Sequence, residues 1–198
     1  MKALIASPLL LACTTAFAAE PAIGQQAPAF EITDVSGKAV SLSQFKGKHV
    51  VLEWVNPECP FVQKHYNSAN MQTTQKHASD KGVVWLTVQT SAQATPKDVA
   101  ALSDWMNTRK AVTTATLVDS GGKLGRAYGA RTTPHMYIID PAGKLVYVGA
   151  IDSKPTSNPA DIKGATNYVT QALDETLAGK PVSQPVTRPY GCSVKYGT

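Results

Sequence analysis

Glu53-Trp54-Val55-Asn56-Pro57-Glu58-Cys59-Pro60-Phe61-Val62 joins the end of an apolar run to a cysteine-proline pair, and the rest of the chain is arranged around it. The residues leading into it include Val50-Val51-Leu52, an apolar and β-branched run that predicts a strand over His49 to Val55 covered on both faces. A short turn follows, and Cys59-Pro60 opens a helix. Proline suits a first helical position because that N–H has no intrahelical partner and the ring presets φ. A cysteine there sits among the free amides of a helix N-terminus, which favour thiolate over thiol. Cys59 is therefore the candidate nucleophile.

Upstream, Phe30 to Thr33 alternates apolar and polar as a half-buried strand does, Asp34 to Gly37 turns, and Lys38 to Leu42 returns as its partner. Ser43 to Gly47 reads as one helical turn with a serine cap and a glycine stop. Downstream, the helix from Cys59 places Phe61, Val62, His65, Tyr66 and Ala69 on one stripe and is expected to run on until Gly82 stops it. Val83 to Val88 is a second buried strand. Thr95-Pro96-Lys97-Asp98 is a capping signature for a helix that turns Val99, Leu102, Trp105 and Met106 inward. Ala115 to Val118 is a short strand and Leu124 to Tyr128 a short helix. Gly121-Gly122 lacks a following Gly-Lys-Ser/Thr and reads as a turn, not a phosphate cradle.

Thr132-Thr133-Pro134 interrupts the chain just before a strand from His135 to Asp140. Pro141-Ala142-Gly143 makes a hairpin turn, and Lys144 to Ile151 pairs back. After a polar loop from Asp152 to Lys163, Ala165 to Ala178 is the last helix, with Tyr168, Val169, Ala172, Leu173 and Leu177 as its stripe. Pro181, Pro185 and Pro189 punctuate a tail ending in Tyr190-Gly191-Cys192-Ser193-Val194-Lys195-Tyr196. A helix joining the first two buried strands makes them parallel neighbours, with helices on both faces of an α/β sheet.

The 198 residues are 43% hydrophobic and 17% charged, which suits one globular domain with a real core. Lys2, the apolar run Ala3 to Ala12 and the small-x-small Ala16-Phe17-Ala18 read as a cleaved signal peptide over residues 1–18. That run is too short to span a membrane, so the expectation is an exported chain without a transmembrane segment, periplasmic or secreted. A second reading takes Leu10 to Cys13 as a lipoprotein signal acylated at Cys13. The domain is then expected over residues 19–180, with residues 181–198 as a proline-containing tail. Basic residues are scattered, with no dense stripe and no aromatic platform among them, so nucleic acid is not an expected partner despite the net charge of +5.

A strand ending in a cysteine-bearing helix start, a Thr-Pro about 75 residues later ahead of a strand, and Asp-Pro-x-Gly-Lys-Leu-Val-Tyr-x-Gly together resemble the thioredoxin-like superfamily. Within it the chain, from Ala27 to Ala178, resembles redoxin-domain proteins of the alkyl hydroperoxide reductase/thiol-specific antioxidant type. The Gly191 to Tyr196 ending resembles a peroxiredoxin-like subgroup with one cysteine at the helix start and one near the C-terminus. The resemblance implies a thioredoxin-like fold, a central mixed sheet flanked by helices on both faces, with an N-terminal β-hairpin. It also implies a cis-proline opposite the reactive cysteine, matched by Thr133-Pro134, whose exposed backbone at residue 133 would pair with a substrate's extended chain. Glu53 stands six residues before Cys59, where thioredoxins carry a buried acid able to relay a proton. The alternative is a glutamate that reaches solvent at the strand end.

Two departures qualify the resemblance. The second cysteine of a thioredoxin falls at Val62, so no local Cys-x-x-Cys disulfide forms. The Thr/Ser and Pro that precede a peroxidatic cysteine fall at Asn56 and Leu52, and the peroxiredoxin arginine falls at Pro134. Arg131 is close enough in sequence to stand in for that arginine, and Asn56 and Thr133 complete the candidate substrate-binding set.

With Cys13 in the signal, Cys59 and Cys192 remain. Two cysteines in an oxidising compartment invite pairing. One alternative is a permanent disulfide closing a loop of about 130 residues, worth at most about 4–5 kcal/mol in the chain-entropy model. The other is a redox pair, since about 12 residues of tail reach about 40 Å when extended. A metal site from Cys59, His65 and His135 reads less well than packed histidines, and neither metal nor cofactor is expected. Taken together, these residues read as an exported thiol-disulfide oxidoreductase with Cys59 as nucleophile, Cys192 as resolving cysteine, Pro134 as the substrate-facing turn and Glu53 as proton relay. Its substrate is a protein or small-molecule disulfide and its reductant is unspecified. The rivals are a thiol peroxidase acting on hydroperoxides and a redox-inactive binding module on the same fold.

Overall fold

The apolar run expected at the centre of the sheet is β3 (Val50–Trp54), all five residues buried. The computed structural model describes residues 21–197, so the expected signal segment and Cys13 lie outside the described residues. Around β3 stand β4 (Val84–Ser91), β5 (Ala115–Ser120), β7 (His135–Ile139) and β8 (Leu145–Gly149), in the order β5-β4-β3-β7-β8. β3 runs parallel to β4, and β4 to β5, as the helical crossover requires, whereas β7 is antiparallel to both β3 and β8. The N-terminal hairpin of β1 (Glu31–Thr33) and β2 (Ala39–Ser41) leans on β5 through the Asp34–Leu117 bridge.

Strand alternation sends successive β3 residues to opposite layers. Val50, Leu52 and Trp54 join Val40 of the hairpin, Leu117 of β5 and Leu124 and Tyr128 of α4 (Lys123–Tyr128) in one cluster. Val51 and Val55 join the other, built from Val62 and Tyr66 of α1 (Pro60–Asn67), Met71 and Ala78 of α2 (Asn70–Asp80), and Val169 and Leu173 of α5 (Tyr168–Leu177). α3 (Pro96–Thr108) adds Trp105, whose ring meets Tyr66 at 4.7 Å. Helices thus cover both faces, and the fold is the thioredoxin-like mixed α/β sheet.

Three expectations require correction. The single helix from Cys59 to Gly82 is two, because Ala69 takes left-handed φ of 59° between α1 and α2. The Ser68 hydroxyl bonds back to the Lys64 carbonyl at 2.7 Å, and the Asn70 side chain meets His65 Nδ1 at 2.8 Å, so polar side chains compete with the helical ladder there. Ala69, assigned to the buried stripe, is exposed, while Lys64 on the expected polar side is buried. The turn after β2 is a 3-10 helix over Leu42–Phe45 preceded by Ser41, whose N–H donates to Gln44 Oε1, so Ser41 and not Ser43 holds the cap position. Part of the loop after β8 winds into a 3-10 turn at Pro159–Gly164.

The tail lies across one end of the sheet. Val148 N–H donates to the Pro185 carbonyl at 2.9 Å and Thr187 N–H to the Val148 carbonyl at 3.1 Å, covering the free edge of β8. Gly149 permits this approach, since a Cβ there would lie 2.1 Å from Thr187 Oγ1. Further on, β9 (Cys192–Ser193) pairs antiparallel with β6 (Thr132–Thr133). Tyr196 then donates to the Ala130 carbonyl at 2.7 Å beneath the Arg126 guanidinium. Among the described residues no helix is long and apolar enough to cross a membrane.

Trp54 ties the first layer together. Its ring packs against Tyr137 and Tyr128 with centroids 5.1 and 5.7 Å away, and its indole N–H donates to Thr90, which donates to Asp119. Asp119 in turn accepts the Leu124 and Gly125 amides that open α4. Replacing Trp54 by Ala is expected to cost about 3–5 kcal/mol in urea unfolding of the reduced protein. Val186→Ala, at a position 63% exposed, should stay within about 0.5 kcal/mol of wild type.

Candidate thiol site

Asn56 and Pro57 turn the chain out of β3. The Asn56 side chain accepts the Glu58 amide at 3.0 Å and its carbonyl accepts the Cys59 amide at 3.0 Å, delivering Cys59 to the N-cap of α1 with Pro60 behind it. Asn56 therefore shapes the turn that presents the thiol. Cys59 is 1% exposed, and its Sγ donates to the Thr133 carbonyl at 2.9 Å. The Thr133–Pro134 bond is cis.

The structure brings Cys192 to the same place. In the β6–β9 ladder Cys192 is the register partner of Thr133, the residue whose carbonyl Cys59 contacts. Gly191 lies against the Thr133–Pro134 peptide at φ of 135°, and a Cβ there would fall 2.0 Å from the Thr133 oxygen. Both cysteines are free thiols, and they influence each other. Burial is the largest influence on Cys59 and opposes ionisation. Hydrogen bonding from the Cys192 thiol, the Thr133 side chain and the Val62 and Cys192 amides outweighs it and holds the Cys59 pKa below its ordinary value of 9.0. The Thr133 hydroxyl is buried with no oxygen or nitrogen partner, so it is free to serve that sulfur. Cys192 moves the other way, pushed up to about 11 by burial and then by Cys59.

Glu53 points into the layer that holds Cys59 and is fully buried. Tyr66 Oη (2.9 Å) donates to Oε1, while Trp85 Nε1 (2.8 Å), Gln75 Nε2 (3.1 Å) and Thr87 Oγ1 (3.2 Å) donate to Oε2. Burial raises its pKa, and these four hydrogen bonds oppose the rise. None of the four is a thiol; its link to the Cys59 helix runs through Tyr66. Arg131 is exposed at the outer side of the slot, its carbonyl accepting the Val194 amide at 3.0 Å.

The two histidines stand apart. His135 Nδ1 meets the Arg131 amide and the Tyr137 hydroxyl, and burial followed by the Arg131 charge pushes its pKa down to about 3. His65 meets Asn70 and, through Nε2, the Tyr190 hydroxyl at 3.2 Å. No group of three or more His, Cys, Asp or Glu suited to a metal ion occurs among the described residues.

Sequence reasoning missed a buried polar cluster under the tail. Lys64 Nζ lies 3.4 Å from Asp152 Oδ2 and donates to the Lys154 carbonyl at 2.9 Å, and the Tyr190 hydroxyl donates to Asp152 Oδ1. Lys64 reads as solvent-facing beside a polar Gln63, and Asp152 as loop. The available signal was Tyr190-Gly191 directly ahead of Cys192, a large aromatic and a glycine set one after the other beside the thiol in an otherwise polar, proline-containing tail. A cleft of about 600 Å³ flanks this region, lined by Thr132, Asp152, Tyr168, Arg188, Tyr190 and Gly191. A second cleft, of about 930 Å³, lies between the N-terminal hairpin and α4, and neither cysteine lines it.

A family model described as the AhpC/TSA family matches residues 23–148, which include Cys59, Glu53 and the Thr133–Pro134 turn. The chain belongs to the AhpC/TSA family. It is 30% identical to the thioredoxin-like protein YneN of Bacillus subtilis over 141 residues, 70% of this chain and 79% of that one. It is 29% identical to the thiol-disulfide oxidoreductase ResA of Bacillus thuringiensis over 63% of this chain and 67% of that one. Among solved structures, an uncharacterized conserved protein of Geobacillus kaustophilus superposes with a TM-score of 0.73 at 28% identity, covering 89% of this chain and 93% of the other. An exposed lipoprotein thioredoxin of Streptococcus pneumoniae gives 0.55 at 27% identity over 77% of this chain and 99% of its own. Family and thiol site together make the protein an oxidoreductase.

Two measurements follow from these ionisations. In alkylation of the reduced protein against pH, Cys59 should titrate below its ordinary value and Cys192 near 11, and Cys192→Ala should raise the Cys59 midpoint by removing a side-chain hydrogen-bond donor. Glu53 binds its proton more tightly folded than unfolded, so its contribution to stability is present below its ordinary value of 4.5 and is lost as pH rises through the higher folded value. Subtracting the stability–pH curve of Glu53→Gln from that of wild type should show a difference falling over that window.

Proposed function

We propose that this oxidoreductase is an exported thiol-disulfide exchange enzyme in which Cys59 is the nucleophile and Cys192 the resolving cysteine. The observation that carries the reading is the β6–β9 pairing, which sets Cys192 opposite Thr133 and so beside the one sulfur with a lowered pKa. The relatives named thiol-disulfide oxidoreductase support the same chemistry.

The Cys59 thiolate attacks one sulfur of a substrate disulfide, forming a mixed disulfide and releasing the other substrate sulfur as thiolate. Once Cys59 is in a disulfide its negative charge is gone, which removes one of the influences holding the Cys192 proton. That proton passes to the departing thiolate. The Cys192 thiolate then attacks Cys59, the second substrate sulfur leaves as thiolate and takes its proton from solvent, and a Cys59–Cys192 disulfide remains for an external dithiol to reduce. The low pKa of Cys59 makes it a good leaving group in that last step.

The remaining candidates have supporting roles. Thr133 and Pro134 offer the backbone edge that β9 fills here and that a substrate strand would take in its place. The Thr133 hydroxyl favours the thiolate, Asn56 fixes the turn, and Arg131 borders the slot. Glu53 is the proton relay, supported by its burial, its raised pKa and its bond to Tyr66 on the Cys59 helix. Export rests on the Lys2 to Ala18 pattern and agrees with the pneumococcal neighbour, described as an exposed lipoprotein.

One observation favours a second reading. The buried, low-pKa Cys59 beside the Thr133 hydroxyl also suits a thiol peroxidase, in which Cys59 takes one oxygen from a hydroperoxide to give a sulfenic acid and an alcohol, and Cys192 condenses with it to release water. Reduced protein mixed with hydrogen peroxide separates the two. Loss of the Cys59 thiol at the rate of an ordinary thiolate supports exchange, and loss orders of magnitude faster supports peroxidase.

The exchange reading is tested by mass-spectrometric thiol mapping of native protein, Cys59→Ser and Cys192→Ser during turnover with a disulfide substrate. Wild type should accumulate the Cys59–Cys192 bond, and Cys192→Ser should accumulate a mixed disulfide on Cys59. A wild-type protein that turns over without ever forming the internal bond sinks the resolving role.

A further inference from the structure

Among the contacts that hold the tail, the one nearest Cys192 on its upstream side is a side chain seated in a buried polar pocket. Tyr190 stands two residues before Cys192. Its ring lies edge-on to Phe61 of α1 with centroids 5.8 Å apart, and the Lys64 ammonium lies 5.7 Å from its centre. Its hydroxyl enters a pocket whose polar groups are almost wholly excluded from water: Lys64 and His65 side chains at 0% exposure and Asp152 at 2%.

The hydrogen bonds there run in one direction. Asn70 Nδ2 donates to His65 Nδ1, which leaves the proton on Nε2; Nε2 donates to the Tyr190 oxygen, and the Tyr190 hydroxyl donates to Asp152 Oδ1. Lys64 and the Lys154 amide complete the coordination of Asp152. The chain therefore uses α1, the loop after β8 and the tail to bury one tyrosine hydroxyl. Burying a charged or polar group is costly unless it is paired, and Tyr190 supplies a partner to both the Asp152 carboxylate and the neutral His65 ring.

Between this anchor and Cys192 there is a single residue. Gly191 is pressed on the Thr133 carbonyl so closely that a Cβ would fall 2.0 Å from it, which leaves no slack for Cys192 to wander once Tyr190 is seated. We propose that Tyr190, seated against Asp152, His65 and Lys64, is a positioning residue for the thiol pair: it holds β9 on β6 and thereby sets the effective concentration of Cys192 at Cys59. This rests on the reading of the two cysteines as an exchange pair.

The consequence is thermodynamic. The reaction Cys59–SH + Cys192–SH + RSSR → Cys59–S–S–Cys192 + 2 RSH conserves atoms and electrons, and its equilibrium constant scales with how often the two thiols meet. A flexible tail gives effective concentrations of about millimolar, whereas a seated one gives far more.

Wild type, Tyr190→Phe and Tyr190→Ala are equilibrated with glutathione and glutathione disulfide mixtures, quenched by alkylation and read by mass. Tyr190→Phe keeps the ring on Phe61 but loses both hydroxyl bonds, so the equilibrium constant should fall about tenfold, a shift of about 30 mV to less negative potential. Tyr190→Ala should fall further. Reduced-state melting is recorded alongside, since a role in general stability alone would lower Tm with no movement of the potential. A Tyr190→Ala protein with the wild-type potential overturns the proposal.

A second measurement does not depend on disulfide formation. In a Cys59→Ser background, iodoacetamide should modify Cys192 several-fold faster when Tyr190 is Phe, because the strand is released. An unchanged rate overturns the positioning role even where the wild-type potential is well behaved. Wild type that forms no internal disulfide under any glutathione ratio overturns the exchange reading instead, and the alkylation comparison still decides the place of Tyr190.

Discussion

The register of two short strands governs this molecule. β9 lies on β6 so that Cys192 meets Thr133, and Thr133 is where the Cys59 sulfur already rests. Two of the hydrogen-bond donors that hold the Cys59 pKa down, the Cys192 thiol and amide, arrive with that strand. A ladder of two residues is too short to hold itself in water. It is held from both sides: upstream by the Pro185 and Thr187 bonds to β8 and by Tyr190, downstream by buried Val194 and by Tyr196 under Arg126.

The electrostatics of the thiol pair follow from this packing and not from the helix N-terminus alone. Burial raises both thiol pKa values, and what separates them is who donates to whom. Cys59 receives hydrogen bonds, so its anion is supported; Cys192 gives one, so its proton is retained. The pair holds one negative charge more easily than either site would alone. Glu53 shows the same balance inside the sheet, where four donors moderate a burial penalty without cancelling it.

Much of this was legible in the sequence because it is written in local patterns. Val50-Val51-Leu52 marks the central strand by composition, Cys59-Pro60 marks the helix start by stereochemistry, and the Thr95 to Asp98 cap is self-contained within four residues. The family resemblance extended that reading to the Thr133-Pro134 turn and to a mixed sheet with an N-terminal hairpin. What was not legible depends on partners far apart in the chain. Lys64 is buried only because Asp152, 88 residues on, neutralises it, and its own neighbours give no hint. The break at Ser68-Ala69 was hidden because apolar spacing continues across it, while the competing bonds come from Ser68 and Asn70 side chains. Whether Glu53 was buried or at the surface likewise hung on Trp85 and Gln75, which the β3 sequence does not contain.

Val62 replaces the second cysteine of a Cys-x-x-Cys motif, and the physical difference reaches beyond residue identity. A cysteine three positions along the same helix would be a permanent neighbour, and its disulfide would leave the Thr133 edge open. Here the partner thiol arrives on a strand that fills that edge. On the proposed reading the resolving cysteine and a substrate strand compete for one set of backbone groups, so the reduced enzyme must release β9 to admit an extended substrate and recapture it to finish the reaction. An internal disulfide therefore does two things at once: it stores the oxidising equivalents and it fastens the occupant of the slot. That coupling is absent from a local dithiol, and it gives a physical reason for the tail to be bound by many modest contacts rather than one strong one. Each contact can be lost in turn as the strand lifts, whereas a single tight anchor would hold the slot shut after the disulfide had been reduced.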